Sequence, residues 1–261
     1  MFFDLHPKGK PFHLHLHFQV KVEVAIQITV FDKQTGRVYA QRRVKLASSK
    51  ILRIKLPITP DILTCHVEAV NPSDEHKFLL EEIKVNLDTI CPVDLDEKDV
   101  DFIRFAKWFA VNIEVLEAGQ KGTIYQSEGF TILLLDKLLE GNIELSTPAR
   151  IARDSGIIEI SKSTIMTYTV PMLFVVLLHE YAHKFKNPDY DKEVANELTA
   201  DIIACHIALN LGFDASEVEK CFRTIFSKKQ TKLNHQRMKA VVEFIQIFNQ
   251  SEVKRCKVQK S

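Results

Sequence analysis

The arrangement in this chain most able to do chemistry is His179-Glu180-Tyr181-Ala182-His183, an HExxH pattern at the end of an apolar run. On a helix, positions i and i+4 lie about 40° apart, so both imidazoles point into one small volume. Zinc takes imidazole nitrogens at about 2.0–2.1 Å, and two such ligands leave places for a third side chain and for water. Glu180 sits beside His179 on the same turn, where its carboxylate could take a proton from that water. Five residues with two free positions are a short pattern, and their meaning depends on what the rest of the chain supplies.

A hydrolytic zinc site needs one more protein ligand, and the next helical stretch offers it. Glu193, Glu197 and Asp201 are spaced i, i+4, i+8 and share one face. Such a stripe is ordinarily solvated, but stacked carboxylates repel one another and an adjacent cation would offset that cost. Asp189 competes for the role at +6 from His183, yet Lys186 stands where a sharp ligand-bearing turn would need glycine. Glu193 lacks the flanking residues that distinguish Glu197, and His206 falls about 180° round the helix from Glu197 and should face away.

Those flanking residues, Asn196-Glu197-Leu198-Thr199-Ala200-Asp201, follow HEYAH as an NExxAD pattern. The pair of motifs resembles the gluzincin metallopeptidases, the group of thermolysin-like enzymes and their compact single-domain relatives. Thermolysin-like proteins carry NExxSD, so Ala200 departs from the pattern at a position away from the metal. Over residues 150–250 the resemblance implies zinc held by His179, His183 and Glu197, with Glu180 as general base in peptide-bond hydrolysis. It implies that Asp201 accepts a hydrogen bond from the far nitrogen of His179, fixing its tautomer. Several of these families place a His or Arg near the tetrahedral oxyanion, a role open here to His235 or Arg237, with His235 carried as the catalytic candidate. The strand read at Ile157–Ser161, just upstream of the motif helix, would be the edge that pairs with an extended peptide. Compact zincin-like domains also occur in phage-encoded proteins. The alternative is therefore a virion neck or tail component, part of a homo-oligomeric ring, with or without proteolytic activity.

Composition bounds the partners. At 261 residues the chain can bury one large core or two modest ones, with 46% hydrophobic and 26% charged residues. A net charge of +1 speaks against nucleic acid as a partner. No window reaches the ~18 apolar residues of a membrane span. Cys65, Cys91, Cys205, Cys221 and Cys256 form no CxxC pair, which suits free thiols in a reducing compartment. The first residues lack a signal-peptide pattern, so the expected location is the cytoplasm, or a virion if the chain is phage-encoded.

The fold expected is α+β. Residues 1–90 read as an antiparallel β-sandwich-like interaction domain, through which protein partners would bind; 91–250 read as a mainly helical zincin-like domain with a small sheet; 251–261 form a basic flexible tail. From Phe12 to Val30 every even position is apolar, which predicts one long strand or two joined across a bend with register kept. Asp32 to Gly36 is a turn, and segments near Val38–Leu46, Leu52–Leu56, Cys65–Ala69, Phe78–Leu80 and Ile83–Leu87 complete five or six strands. His13, His15 and His17 share one strand face, and with no acidic or Cys partner in sequence they read as its polar side rather than a metal site. Beyond the connector around Pro92, a helix enters at Asp96 carrying Val100, Ile103, Ala106, Trp108 and Ala110. A strand is expected at Ile113–Leu116, then a Gly119/Gly122 turn and apolar segments over 130–139. The motif helix follows at Pro171–Phe185, with three more at 191–211, 215–226 and 233–248.

Overall fold

The structure is a computed structural model that describes residues 1–86, 95–152, 154–185 and 193–258; the side chains of 185, 193–195 and 251–258 are outside the description. The chain forms two compact units, one built on the residues before the 87–94 segment and one on those after it, with Thr169–Pro171 and Leu211–Asp214 counted in the first. Among the described residues no helix is long and apolar enough to cross a membrane.

The first unit is all antiparallel. Its described residues form seven strands, β1 (Phe2–Leu5), β2 (Phe12–Val20), β3 (Val24–Phe31), β4 (Val38–Leu46), β5 (Lys50–Leu56), β6 (Leu63–Ala69) and β7 (Phe78–Asn86). They make a four-stranded sheet, β1-β6-β3-β4, and a three-stranded sheet, β5-β2-β7. The even-numbered alternation predicted from Phe12 to Val30 is present but serves both layers. Phe12, Leu14, Leu16 and Phe18 are buried on β2, and Val24, Ile26, Ile28 and Val30 on β3. The chain leaves one sheet at Lys21 and enters the other at Val24, and Val22 at the crossing is 59% exposed. Parity survives because each strand turns the same set toward its sheet's buried face. The Asp32–Gly36 turn closes β3 onto β4 with Gly36 at φ 72° and Gln34 N–H donating to Asp32 Oδ1 at 2.8 Å. Two expectations change. β1 is a seventh strand, four residues long and too short to show a period, paired with β6. The two segments expected after Phe78 are one strand, β7, whose register against β2 shifts between His17 and Phe18.

His13, His15 and His17 point to the outer face of β2, where His17 Nδ1 lies 3.3 Å from Glu82 and His15 Nδ1 3.3 Å from Asn86 Nδ2. Their role as the polar side of an alternating strand stands.

The second unit opens on α1 (Glu97–Asn112), capped by a reciprocal box in which Asp96 accepts from Asp99 N–H and Asp99 accepts from Asp96 N–H. Phe102, Ile103, Phe105, Ala106, Phe109 and Ala110 face its core, while Val100 and Trp108 are 39% and 46% exposed. The strand expected at Ile113–Leu116 is absent. Ile113 closes the helix in αR geometry, and Val115 is 75% exposed in the turn after it. Then come β8 (Thr123–Ser127), β9 (Phe130–Leu135), a hairpin of β10 (Leu139–Glu140) and β11 (Ile143–Glu144), β12 (Ala149–Ile151) and β13 (Ile157–Ser161). The sheet order is β12-β13-β9-β8, with β13 parallel to β9 and the other pairs antiparallel. Ile157–Ser161 is therefore an inner strand. The edge beside it is β12, whose three residues carry too little pattern to be read from sequence; β8 forms the other edge.

Ser161 caps a short α2 (Lys162–Ile165), which leads into the motif helix α3 (Val170–Phe185). Every residue from Val170 to Leu178 is buried, so α3 is a core helix. Next come α4 (Glu193–Asn210), α5 (Ala215–Ser227) and α6 (Lys232–Val258), close to expectation except that α6 continues about ten residues further. Gly212 ends α4 at φ 87°, a left-handed cap that glycine adopts without strain.

Candidate metal centre

The sequence places His179 and His183 one turn apart on α3, and burial of that helix fixes their direction. Both side chains enter a cavity of about 300 Å³ that is also lined by Glu180, Glu197, Asp201 and Arg237. His179 Nε2 and His183 Nε2 lie 2.9 Å apart, Glu197 Oε1 is 3.4 Å from His183 Nε2, and Glu197 Oε2 is 3.6 Å from His179 Nε2. In a tetrahedral centre with bonds of about 2.0–2.1 Å, ligand atoms sit roughly 3.3 Å apart. The three separations bracket that value. His179, His183 and Glu197 thus form a group that could hold a metal ion, the one such group among the described residues.

The partners of the two imidazoles sharpen this. His183 Nδ1 is 2.9 Å from Asn196 Oδ1, an oxygen that can only accept, so Nδ1 carries the proton and Nε2 a lone pair. His179 Nδ1 lies 3.0 Å from Asp201 Oδ1, a close electrostatic contact rather than an in-line hydrogen bond, which likewise favours a proton on Nδ1. Two Nε2 lone pairs and a carboxylate then face one point, an arrangement that repels itself unless a cation or a proton sits between them. Asp201, 1% exposed, is held in turn by Arg237, whose Nε and Nη2 donate to its two oxygens at 2.6 and 2.9 Å. Arg237 Nη1 also reaches Glu197 Oε2 at 2.9 Å, which leaves Glu197 Oε1 turned toward His183.

Titration follows these contacts. Burial works against a charged His179, but Asp201 and Glu197 outweigh it and push the imidazole up to about 10 in the metal-free protein. Burial, aided by the charge on His179, lowers His183. Burial would raise Glu197, yet His179 and Arg237 pull it down to about 2. Glu180 is 7% exposed, and burial raises its carboxyl to about 7, with His179 and Arg237 opposing and Glu197 and Asp201 adding to the effect. A carboxylate poised near neutrality is what a general base in water activation requires.

Other candidates fall elsewhere. His235 is exposed at the start of α6 and does not line the cavity; Arg237, two positions on and about 200° round the helix, does. Asp189 lies outside the described residues, as does the side chain of Glu193. His206 is exposed, with its ring 5.9 Å from that of Phe244, away from the metal point as expected. Two contributors escaped sequence reasoning. Asn196 was visible only as the residue beside Glu197. Tyr181, inside the motif, donates a buried 2.6 Å hydrogen bond to Asp99 of α1 and stacks on Phe102 at 4.3 Å, tying the motif helix to the helix that opens the unit. Cys65, Cys205 and Cys221 are free and buried, and burial pushes Cys65 and Cys205 up to about 12, so these thiols are inert.

The rest of the lining is mixed. Val176, Phe222, Ile225 and Phe226 supply apolar surface, and Thr147 to Ile151 bring the edge strand β12 to the same cavity. No protein-family model, curated protein or solved structure matches the chain.

Proposed function

We propose that this protein is a zinc-dependent metallopeptidase of the gluzincin kind. The observation that carries the reading is the convergence of His179 Nε2, His183 Nε2 and Glu197 on one point while a buried Glu180, raised to about 7, lines the same cavity. The donor set suits zinc: two imidazoles whose tautomers are fixed by Asn196 and Asp201, and one carboxylate, at separations a tetrahedral ion would span. The resemblance of HEYAH and NELTAD to that group supports the same assignment.

A bound zinc ion would supply Lewis acidity, polarising a carbonyl and bringing a water toward neutral pKa. The chain's own residues do the rest. Glu180 would accept a proton from the attacking water and return it to the leaving amine. Arg237 holds the Asp201 and Glu197 carboxylates in place, and it adds positive charge to the cavity where an oxyanion would develop. β12, paired only with β13 among the described residues, offers its other edge to an extended peptide backbone, and the apolar wall accepts a side chain.

The test is cleavage of an unstructured protein substrate by zinc-loaded wild type and by Glu180→Gln. Hydrolysis by the wild type with loss of about four orders of magnitude or more in the variant, zinc content unchanged, is the expected result. Equal hydrolysis in both removes Glu180 from the chemistry. No hydrolysis by a fully loaded wild type points instead to a structural use of the fold, such as the virion component.

A further inference from the structure

We propose that β7 is a pairing edge, through which two copies of this chain join their three-stranded sheets into one antiparallel sheet about a twofold axis beside Ile83. The inference is independent of the chemistry at the metal centre. In that sheet the two edges differ. On β5 the inward residues Leu52, Ile54 and Leu56 are 7%, 1% and 1% exposed, so the buried row extends fully to that strand. On β7 the inward residues Ile83 and Val85 stand opposite Leu16 and Leu14 in register. Leu16 and Leu14 are fully buried, yet Ile83 and Val85 are 37% and 46% exposed. The buried layer stops one strand short, at a nine-residue strand hydrogen-bonded, among the described strands, only to β2. A long edge with apolar residues in the inner row is what another strand pairs with, unless charge or a bulge blocks it; on β7 the bulge residue Glu81 precedes the Glu82–Lys84 stretch, and the charges of that stretch complement their own copy.

Charge selects the occupant. The strand reads Phe-Leu-Leu-Glu-Glu-Ile-Lys-Val-Asn, and a twofold centred on Ile83 sets Ile83 against its own copy. The same axis sets Glu82 against the partner's Lys84 twice over, and Glu81, the extra residue at the register shift, against the partner's Val85 at the ladder ends. Directly opposed side chains lie about 4.5–5.5 Å apart, so opposite charges there attract and like charges repel. Moving the axis one residue, to Lys84, would oppose two ammonium groups and is disfavoured for that reason. Within one chain Glu82 already meets Lys84 at 2.9 Å and His17 at 3.3 Å, so the pairing extends an existing charge cluster across the axis. A second copy is the partner whose charge pattern this strand itself guarantees.

A ladder of about three regular residue pairs, with the bulge residue Glu81 at each end, buries less than the ~1,200 Å² of a standard interface, so association in the micromolar range is expected. The experiment is sedimentation velocity on the full chain from about 1 to 300 µM at low salt, with circular dichroism as the fold control. The wild type should dimerise, weakening as salt rises. Lys84→Glu and Glu82→Lys should each weaken association at least about tenfold by opposing like charges, and the double exchange should restore it to within about threefold. Ile83→Lys should abolish it; if that variant fails to fold, the exposed charge pair still decides. A wild type that stays monomeric throughout overturns the proposal. So does a dimer that ignores the single charge reversals, or one that the double exchange fails to restore.

Discussion

The buried carboxyl of Glu180 makes a stability prediction that is separate from turnover. Its group is 7% exposed and burial lifts it from 4.5 to about 7. The unfolded chain releases this proton near its ordinary value, whereas the folded chain holds it longer. Stability of the metal-free protein therefore falls as pH rises between about 4.5 and 7, and the full cost is present above that window. Raising a pKa by one is worth about 1.4 kcal/mol, which gives a cost of roughly 1 kcal/mol near pH 5 and roughly 3 kcal/mol near pH 8. Glutamine cannot ionise and escapes the cost. Urea denaturation of chelator-treated wild type and Glu180→Gln across that range should show the variant gaining stability over the wild type by about 2 kcal/mol between the two ends. Added zinc should shrink the difference, because a neighbouring cation favours the carboxylate. A difference that does not change with pH would refute this. Glu180 would then titrate as an ordinary carboxyl, and its burial would not prepare it as a base.

Four further outcomes follow from the contacts of this unit. His179, pushed up to about 10 without metal, must lose a proton on binding zinc. Calorimetry in buffers of different ionisation enthalpy should report about one proton released near pH 7, with apparent affinity rising about tenfold per pH unit up to about pH 9. Asn196→Ala frees the His183 tautomer and should weaken zinc binding about 10- to 100-fold in competition with a chelating dye. Asp201→Asn should do the same and, by removing one of the two carboxylates that pair with Arg237, cost about 1–3 kcal/mol in denaturant titrations. Tyr181→Phe removes the buried bond to Asp99 and should cost about 1–3 kcal/mol while leaving zinc stoichiometry intact.

How much of this was legible in the sequence depended on distance along the chain. His179, Glu180 and His183 are one helical turn, and Glu197 and Asp201 another, so spacing alone placed each group on its face. The α+β character, the motif helix and the helices after it were readable from period, Pro171 and Gly212 for the same local reason. What failed depended on tertiary placement. His235 and Arg237 are two positions apart, and only packing of α6 decides which of them enters the cavity. The link from Tyr181 to Asp99 joins residues on separate helices and leaves no local trace. β12 is three residues long and shows no period, so the edge role falls to Ile157–Ser161 when only the sequence is read. The alternation across Phe12–Val30 marks the buried face of each strand but not the change of sheet between them.

Whether His179, His183 and Glu197 hold one zinc ion together is tested most directly by X-ray absorption at the zinc edge on the reconstituted protein. Metal content is determined on the same sample. The expected result is one zinc per chain with a shell of two imidazoles and carboxylate or water oxygen at about 2.0–2.1 Å, and loss of stoichiometric zinc in Glu197→Ala and His183→Ala. A shell containing sulfur, or wild-type protein that retains no zinc after dialysis, would contradict it.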